Sequence, residues 1–102
     1  MPAYGKKVII IGSGASGLAA AAVLAQGGWQ VTLLERNATT GGRARTWSQD
    51  GFLFDMGPSF YWMPDVFERF FTRFHTTASE QYALCRLDPS YSVIYGQGDR
   101  WA

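Results

Sequence analysis

The sequence has little cysteine and little net charge. Cys85 is its one cysteine, which excludes an internal disulfide and a paired-thiolate metal site and predicts a buried apolar thiol in a reducing, cytoplasmic compartment. The net charge is +1, so there is no global field to attract nucleic acid, which is not an expected partner. No repeat or low-complexity tract interrupts the 102 residues.

A long uncharged run, residues 8–25, is broken by glycines and rich in alanine, so it predicts neither a signal peptide nor a membrane span. Residues 7–11 are mostly β-branched, which is typical of a parallel strand covered on both faces. Residues 18–26 predict a helix and residues 30–35 a second strand. The first third therefore predicts an α/β fold with a right-handed βαβ crossover.

The remaining residues predict smaller elements. Residues 44–48 and 52–55 flank a turn signal and predict a hairpin, and Pro64 opens an amphipathic helix. The aromatic face over residues 60–74 predicts ordinary core, with the wall of an apolar channel as the alternative. Residues 82–87 and 91–95 predict strands joined around residues 88–90, and Arg100 opens a further strand without a partner. We therefore expect a fragment, with a dinucleotide-binding unit at 1–59 and an incomplete second domain at 60–102.

The most informative motif is GSGASG at residues 12–17, which matches G-x-G-x-x-G between a strand and a helix. Gly12 allows the turn out of the strand, Gly14 lets a pyrophosphate approach, and Gly17 lets the helix pack closely. Glu35 follows Gly17 by eighteen residues, where a carboxylate can accept bonds from the adenosine ribose and would repel a 2′-phosphate. The pattern favours FAD or NAD over NADP.

A second glycine motif, Gly41-Gly42-Arg43, begins six residues after Glu35. With it, the run from residue 8 to residue 43 resembles the flavin amine oxidase superfamily, although Asn37 stands where amine oxidases commonly have an arginine. The segments FLFDMGPS at 52–59, YWMPDVF at 61–67 and LDPSY at 87–91 are similar to those of phytoene desaturases.

This resemblance implies a Rossmann-like FAD-binding unit followed by a hairpin, an amphipathic helix and the start of a substrate domain. It implies FAD as the cofactor, desaturation of a hydrophobic polyene by hydride transfer to the flavin, and peripheral association with a membrane as an open possibility. The residues expected to contact the cofactor are Gly12, Gly14, Ala15, Ser16, Gly17, Glu35, Arg36, Gly42, Arg43, Gly57, Pro58 and Ser59.

Alternatives remain at this point. The glycine turn and Glu35 alone also fit a NAD-binding dehydrogenase domain, and a chain of this length also fits a truncated, non-catalytic remnant. Arg43 also fits a solvated loop charge. No catalytic acid or base and no metal-ligand set is predicted, and His75 is expected to serve the end of a helix.

Overall fold

The computed structural model describes residues 5–96 and the backbone of residues 99–101. These residues form two compact units, the first ending at Trp62 and the second beginning at Met63. The assignment of residues 1–59 to a cofactor domain and of residues 60–102 to a substrate domain stays a prediction.

The first unit opens with the predicted βαβ arrangement. Strands β1, Lys7–Ile11, and β2, Gln30–Leu34, pair in parallel, and helix α1, Ala15–Gln26, connects them. The helix begins three residues before the predicted start at Leu18, because the carbonyl of Gly14 already accepts the N–H of Leu18 at 3.0 Å. The Rossmann-like α/β prediction is confirmed.

Strand β1 has one half-buried face and one exposed face. Val8 and Ile10 are half-buried, whereas Ile9 and Ile11 are 65% and 86% exposed. Successive side chains of a strand point to opposite faces, and α1 lies on one side only. The prediction that β1 is covered on both faces is therefore wrong for the part of the chain that the structure describes.

Helix α1 approaches β1 closely at a pair of glycines. A Cβ added to Gly17 would lie 2.0 Å from the carbonyl oxygen of Gly12 and 3.6 Å from the side chain of Ile10. Gly12 itself has a φ of 99°, a conformation that residues with a Cβ rarely adopt. The first and last glycines of the motif thus bring the helix and the strand turn into backbone contact.

A hairpin follows within the same unit. A 3₁₀ turn at Gly42–Ala44 leads into strand β3, Thr46–Gln49, which pairs antiparallel with β4, Phe52–Asp55. Asp50 and Gly51 join them with φ values of 52° and 83°, the two positive values of a type I′ turn. Trp47 faces Phe54 across the strands with ring centroids 5.2 Å apart. The predicted hairpin is present, although its first strand starts at Thr46 because Ala44 belongs to the 3₁₀ turn.

The second unit begins with helix α2, Pro64–Arg73, whose first residue is the predicted proline. On its aromatic face, the rings of Phe70 and Phe74 lie 5.0 Å apart and those of Phe71 and Tyr82 lie 5.8 Å apart. These four rings are half-buried and pack on one another. This end of the face forms a small aromatic cluster.

A short helix α3, Ala78–Gln81, follows α2. Thr77 and Glu80 form a capping box at its start, and Glu68 of α2 accepts the N–H of Ala78 at 3.0 Å. Between the helices His75 adopts a φ of 61° and donates its N–H to Thr72, so its backbone ends the α2 turn. Among the described residues no helix combines the length and apolar run needed to cross a membrane.

Three predictions for the last part of the chain are wrong. Residues 82–87 form no strand, and β5, Val93–Tyr95, pairs instead with β6, Asp99–Trp101, so the final strand does have a partner. Cys85 is exposed rather than buried. A segment with high strand propensity forms a strand only when another strand pairs with it and completes its hydrogen bonds. Gln97 and Gly98, which lie between β5 and β6 in the sequence, are outside the described residues.

Replacement of Gly17 by alanine should destabilise the first unit. The added methyl would overlap the Gly12 carbonyl, a clash that costs about 1–3 kcal/mol and outweighs the roughly 1 kcal/mol that alanine contributes to helix propensity. Chemical denaturation of the intact protein measures the loss. Gly14→Ala is the matched control, because a Cβ there meets no atom within 4 Å. Equal unfolding midpoints for the two variants would contradict the prediction.

Candidate functional site

A cleft of about 390 Å³ lies where β1 and β2 end, bordered by the loop that follows β2. This volume lies within the range of small-molecule sites. Six predicted site residues line it: Gly12, Gly14, Glu35, Arg36, Gly42 and Arg43. Five further residues line it that the sequence did not single out as contacts: Ile11, Ser13, Leu34, Asn37 and Arg45.

The glycine turn forms one wall. The N–H of Gly12 donates to the carbonyl of Leu34 at 2.7 Å, which holds the end of β1 beside the end of β2. Gly14 precedes α1, and no side chain caps the helix or places an acid in its first turn. The first N–H groups of a helix have no intrahelical acceptor, so this end of α1 suits an anion.

The remaining residues of the motif lie in the first turn of α1. Ala15 and Ser16 are exposed and Gly17 is half-buried, but none of the three lines the cleft. Their predicted cofactor contacts stay predictions.

Glu35 follows β2 directly and is held by four hydrogen bonds. Its Oε2 accepts the backbone N–H of Ser13 at 2.9 Å and the Ser13 hydroxyl at 2.5 Å. Its Oε1 accepts the backbone N–H of Asn37 at 2.9 Å and the Asn37 carboxamide at 3.0 Å. These bonds, the Ser13 hydroxyl first among them, lower the pKa of Glu35 from 4.5 to about 2.

The glycine doublet packs directly on the glycine turn. The N–H of Gly41 donates to the carbonyl of Ser13 at 2.9 Å, and a Cβ on Gly42 would lie 2.9 Å from the Cα of Gly14. The guanidinium of Arg45 donates to the carbonyl of Gly42 at 2.9 Å. The two glycine motifs, far apart in sequence, thus form one continuous backbone surface.

The segment after the hairpin returns to this loop. The N–H of Met56 donates to the carbonyl of Arg45 at 3.0 Å, and a Cβ on Gly57 would lie 2.1 Å from the carbonyl oxygen of Arg43. Gly57 therefore supports the loop that carries Arg43. Pro58 and Ser59 are exposed and do not line the cleft, so their role at a flavin stays a prediction.

The charges of the cleft suit a ligand with an anionic and a hydroxylated part. Arg36 and Arg43 are exposed at the lining, and Arg45 is half-buried. Arginine donates to phosphate oxygens, whereas an ionised carboxylate such as Glu35 accepts bonds from hydroxyl groups. The arrangement can therefore bind a phosphate-bearing ribose compound.

Sequence reasoning missed Ser13 and Asn37 as parts of the site. Ser13 lies inside the motif, at a position that the pattern leaves open, and is completely buried. Asn37 lies two residues after Glu35, a spacing at which an asparagine often bonds locally to its neighbours. That spacing could have predicted the bond of Asn37 to Glu35 from the sequence. The burial of Ser13 could not be predicted, because it depends on the glycine turn meeting the Glu35 segment and the Gly41 loop.

The parallel pair, the glycine turn and the acid at the end of β2 define a dinucleotide-binding unit. The family described as the NAD(P)-binding Rossmann-like domain matches residues 10–75, and the chain belongs to this family.

Curated relatives add the following similarities. The chain is 51% identical over 96 residues to the carotenoid 3,4-desaturase of Haloarcula japonica, an alignment that covers 94% of this chain and 19% of that protein. It is 42% identical over 94 residues to a 4,4′-diapophytoene desaturase (4,4′-diaponeurosporene-forming) of Staphylococcus aureus, covering 92% of this chain and 19% of that protein. The chain therefore spans about a fifth of the length of these relatives.

The low pKa of Glu35 has a measurable consequence. Because the pKa lies below 4.5, the stabilisation by the ionised carboxylate is fully present above about pH 4.5 and is lost as the pH falls through about 2. In NMR spectra of the intact protein, the chemical shift of the Glu35 carboxyl carbon should keep the value of the ionised form down to about pH 3. Glu35→Gln assigns the signal. A titration midpoint near the ordinary value would show that the four bonds do not form in solution.

Proposed function

We propose that this chain binds the adenosine and pyrophosphate of FAD in an oxidoreductase that desaturates a hydrophobic carotenoid precursor. The observation that carries the proposal is the contact of Gly14 with Gly42, which places two glycine loops, Glu35 and Arg43 around one cleft. The names of the relatives support the reaction class.

The pyrophosphate would lie against the glycine turn. A Cβ on Gly14 would meet no protein atom within 4 Å, so the space beside it is open to a ligand. The uncapped start of α1 directs its first N–H groups towards that space, and the partial positive charge of the helix end favours an anion. Arg43 adds a donor fork at the lining.

The adenosine ribose would lie at Glu35. An ionised carboxylate accepts hydrogen bonds at both oxygens and donates none, and the lowered pKa of Glu35 keeps it ionised throughout the neutral range. A ribose with free 2′- and 3′-hydroxyls can donate to it, whereas a 2′-phosphate would be repelled by its charge. This chemistry supports FAD or NAD over NADP.

The preference for FAD over NAD rests on the second glycine loop. Arg43 brings an exposed guanidinium and Gly42 brings backbone to the same cleft, and Gly57 packs against the carbonyl of Arg43. The flavin, when bound, supplies the hydride acceptor for desaturation. The residues of this chain hold the nucleotide end of the cofactor and are assigned no proton transfer.

The partner of the intact protein would be a hydrophobic polyene, in keeping with the carotenoid substrates that the relatives' names state. Such a compound partitions into lipid, so the proposal includes peripheral association with a membrane. The lone cysteine supports a reducing, cytoplasmic compartment.

A second candidate is NAD binding by a dehydrogenase domain. The description of the matched family names NAD(P), and Glu35 accepts the ribose of NAD as readily as that of FAD. The adenosine and the pyrophosphate, which the described lining residues are proposed to hold, are present in NAD as well as in FAD.

Titration of the intact protein with FAD and with NAD decides between the two. We expect FAD to bind with quenching of its fluorescence and NAD to compete weakly or not at all. Copurification of a yellow chromophore would agree. Tight NAD binding without FAD binding would replace the proposal by the dehydrogenase alternative.

Gly14→Ala should weaken FAD binding while leaving the fold intact. The methyl group would occupy the open space beside the turn and hold the pyrophosphate away from the helix N–H groups. Loss of one or more charge-assisted bonds predicts a rise in Kd of about tenfold to a hundredfold. Isothermal titration calorimetry measures the Kd and an unchanged unfolding midpoint confirms the fold. Wild-type affinity in this variant would mean that the pyrophosphate lies elsewhere.

A further inference from the structure

The carboxylate of Glu35 is saturated before any ribose arrives. Each oxygen has about two positions for hydrogen-bond donors, and here each oxygen accepts two bonds. A ribose hydroxyl can therefore take an ordinary position on Glu35 only by replacing one of four donors.

The four donors differ in their freedom to leave. Two are backbone N–H groups, of Ser13 and Asn37, which cannot move without the loops that carry them. The Ser13 hydroxyl belongs to a completely buried residue. The carboxamide of Asn37 belongs to an exposed residue and can rotate into water, where its hydrogen bonds are replaced.

We propose that Ser13 is a positioning residue that orients Glu35 for the adenosine ribose, and that the Asn37 carboxamide is a displaceable stand-in for a ribose hydroxyl. The inference rests on the proposed binding of an adenine dinucleotide. Ser13 acts through Glu35, because its N–H and its hydroxyl both donate to that carboxylate.

The geometry accounts for both roles. Ser13 donates twice to Oε2, so this oxygen is fixed from within the protein, while the exposed bond of Asn37 is on Oε1. When a ribose hydroxyl replaces the carboxamide, the carboxylate is already ionised and its Oε1 is already oriented to accept the new bond. Binding then exchanges one hydrogen bond for another at the carboxylate and avoids reorienting it.

Any change of ribose affinity with falling pH should come from protonation of Glu35 itself, given the other charged groups around it. Arg36, Arg43 and Arg45 share the lining of the cleft and contribute positive charge to it. Glu35 is the acidic residue among the described lining residues. The Ser13 hydroxyl is the largest cause of its low pKa, so loss of that hydroxyl should raise the pKa towards 4.5.

The test is the Kd for FAD of the intact protein between about pH 7 and about pH 4, measured for wild type and four variants. These are Ser13→Ala, Asn37→Ala, Glu35→Ala and the double variant Ser13→Ala/Glu35→Ala. Ser13→Ala should raise the Kd by about tenfold at neutral pH and by more at acidic pH, as Glu35 takes up its proton. In the Glu35→Ala background the same substitution should change the Kd by less than about twofold, because nothing remains to be positioned.

Asn37→Ala should lower the Kd by about two- to tenfold, because the ribose no longer competes with the carboxamide. Asn37 is exposed, so this variant is informative even if Ser13→Ala fails to fold. Wild-type or weaker affinity for Asn37→Ala would overturn the stand-in role.

An equal loss from Ser13→Ala with and without Glu35, or a wild-type Kd at every pH, would overturn the positioning role. Failure of the wild-type protein to bind FAD at all would instead refute the proposed function, so the two failures are distinguishable.

Discussion

Three loops of the first unit meet at Ser13, and every polar group of this residue is used there. Its N–H and its hydroxyl donate to Glu35 after β2, and its carbonyl accepts the N–H of Gly41 in the doublet loop. A completely buried serine with an unpaired polar group would destabilise the unit, so these three hydrogen bonds favour the observed arrangement of the loops. The cleft is the space that this arrangement leaves open.

Polar and backbone contacts, more than apolar packing, hold the site. Among the described residues Ala78 is the one buried hydrophobic residue, and Ile11 at the end of β1 is 86% exposed. By contrast Gly17 and Gly57 each meet a carbonyl oxygen so closely that a single methyl group would displace it. Shape around the cleft therefore depends on the absence of side chains at particular positions, which lets backbone pack on backbone.

The site lies at the carboxyl ends of two parallel strands, where ligands of open α/β sheets bind. Membership of the NAD(P)-binding Rossmann-like family agrees with a dinucleotide ligand, and the ionised Glu35 can accept hydrogen bonds from hydroxyl groups. The relatives are desaturases, and the alignments with this chain cover 19% of the length of each. The residues of this chain thus form a dinucleotide-binding unit within a much shorter span than that of its relatives.

Local spacing was enough to predict the glycine turn, the helix after it, Glu35 at the end of β2 and the Asp50-Gly51 turn, because each depends on neighbours within a few residues or on a single crossover. Only the tertiary structure decided which residues surround Glu35 and that Gly57 supports the Arg43 loop, since these contacts join segments far apart in sequence. The same limit explains residues 82–87 and Cys85: their composition suits a buried strand, but burial and pairing require a partner that composition does not specify. The sequence by itself determined the motif, and the meeting of three loops at a buried serine determined the site.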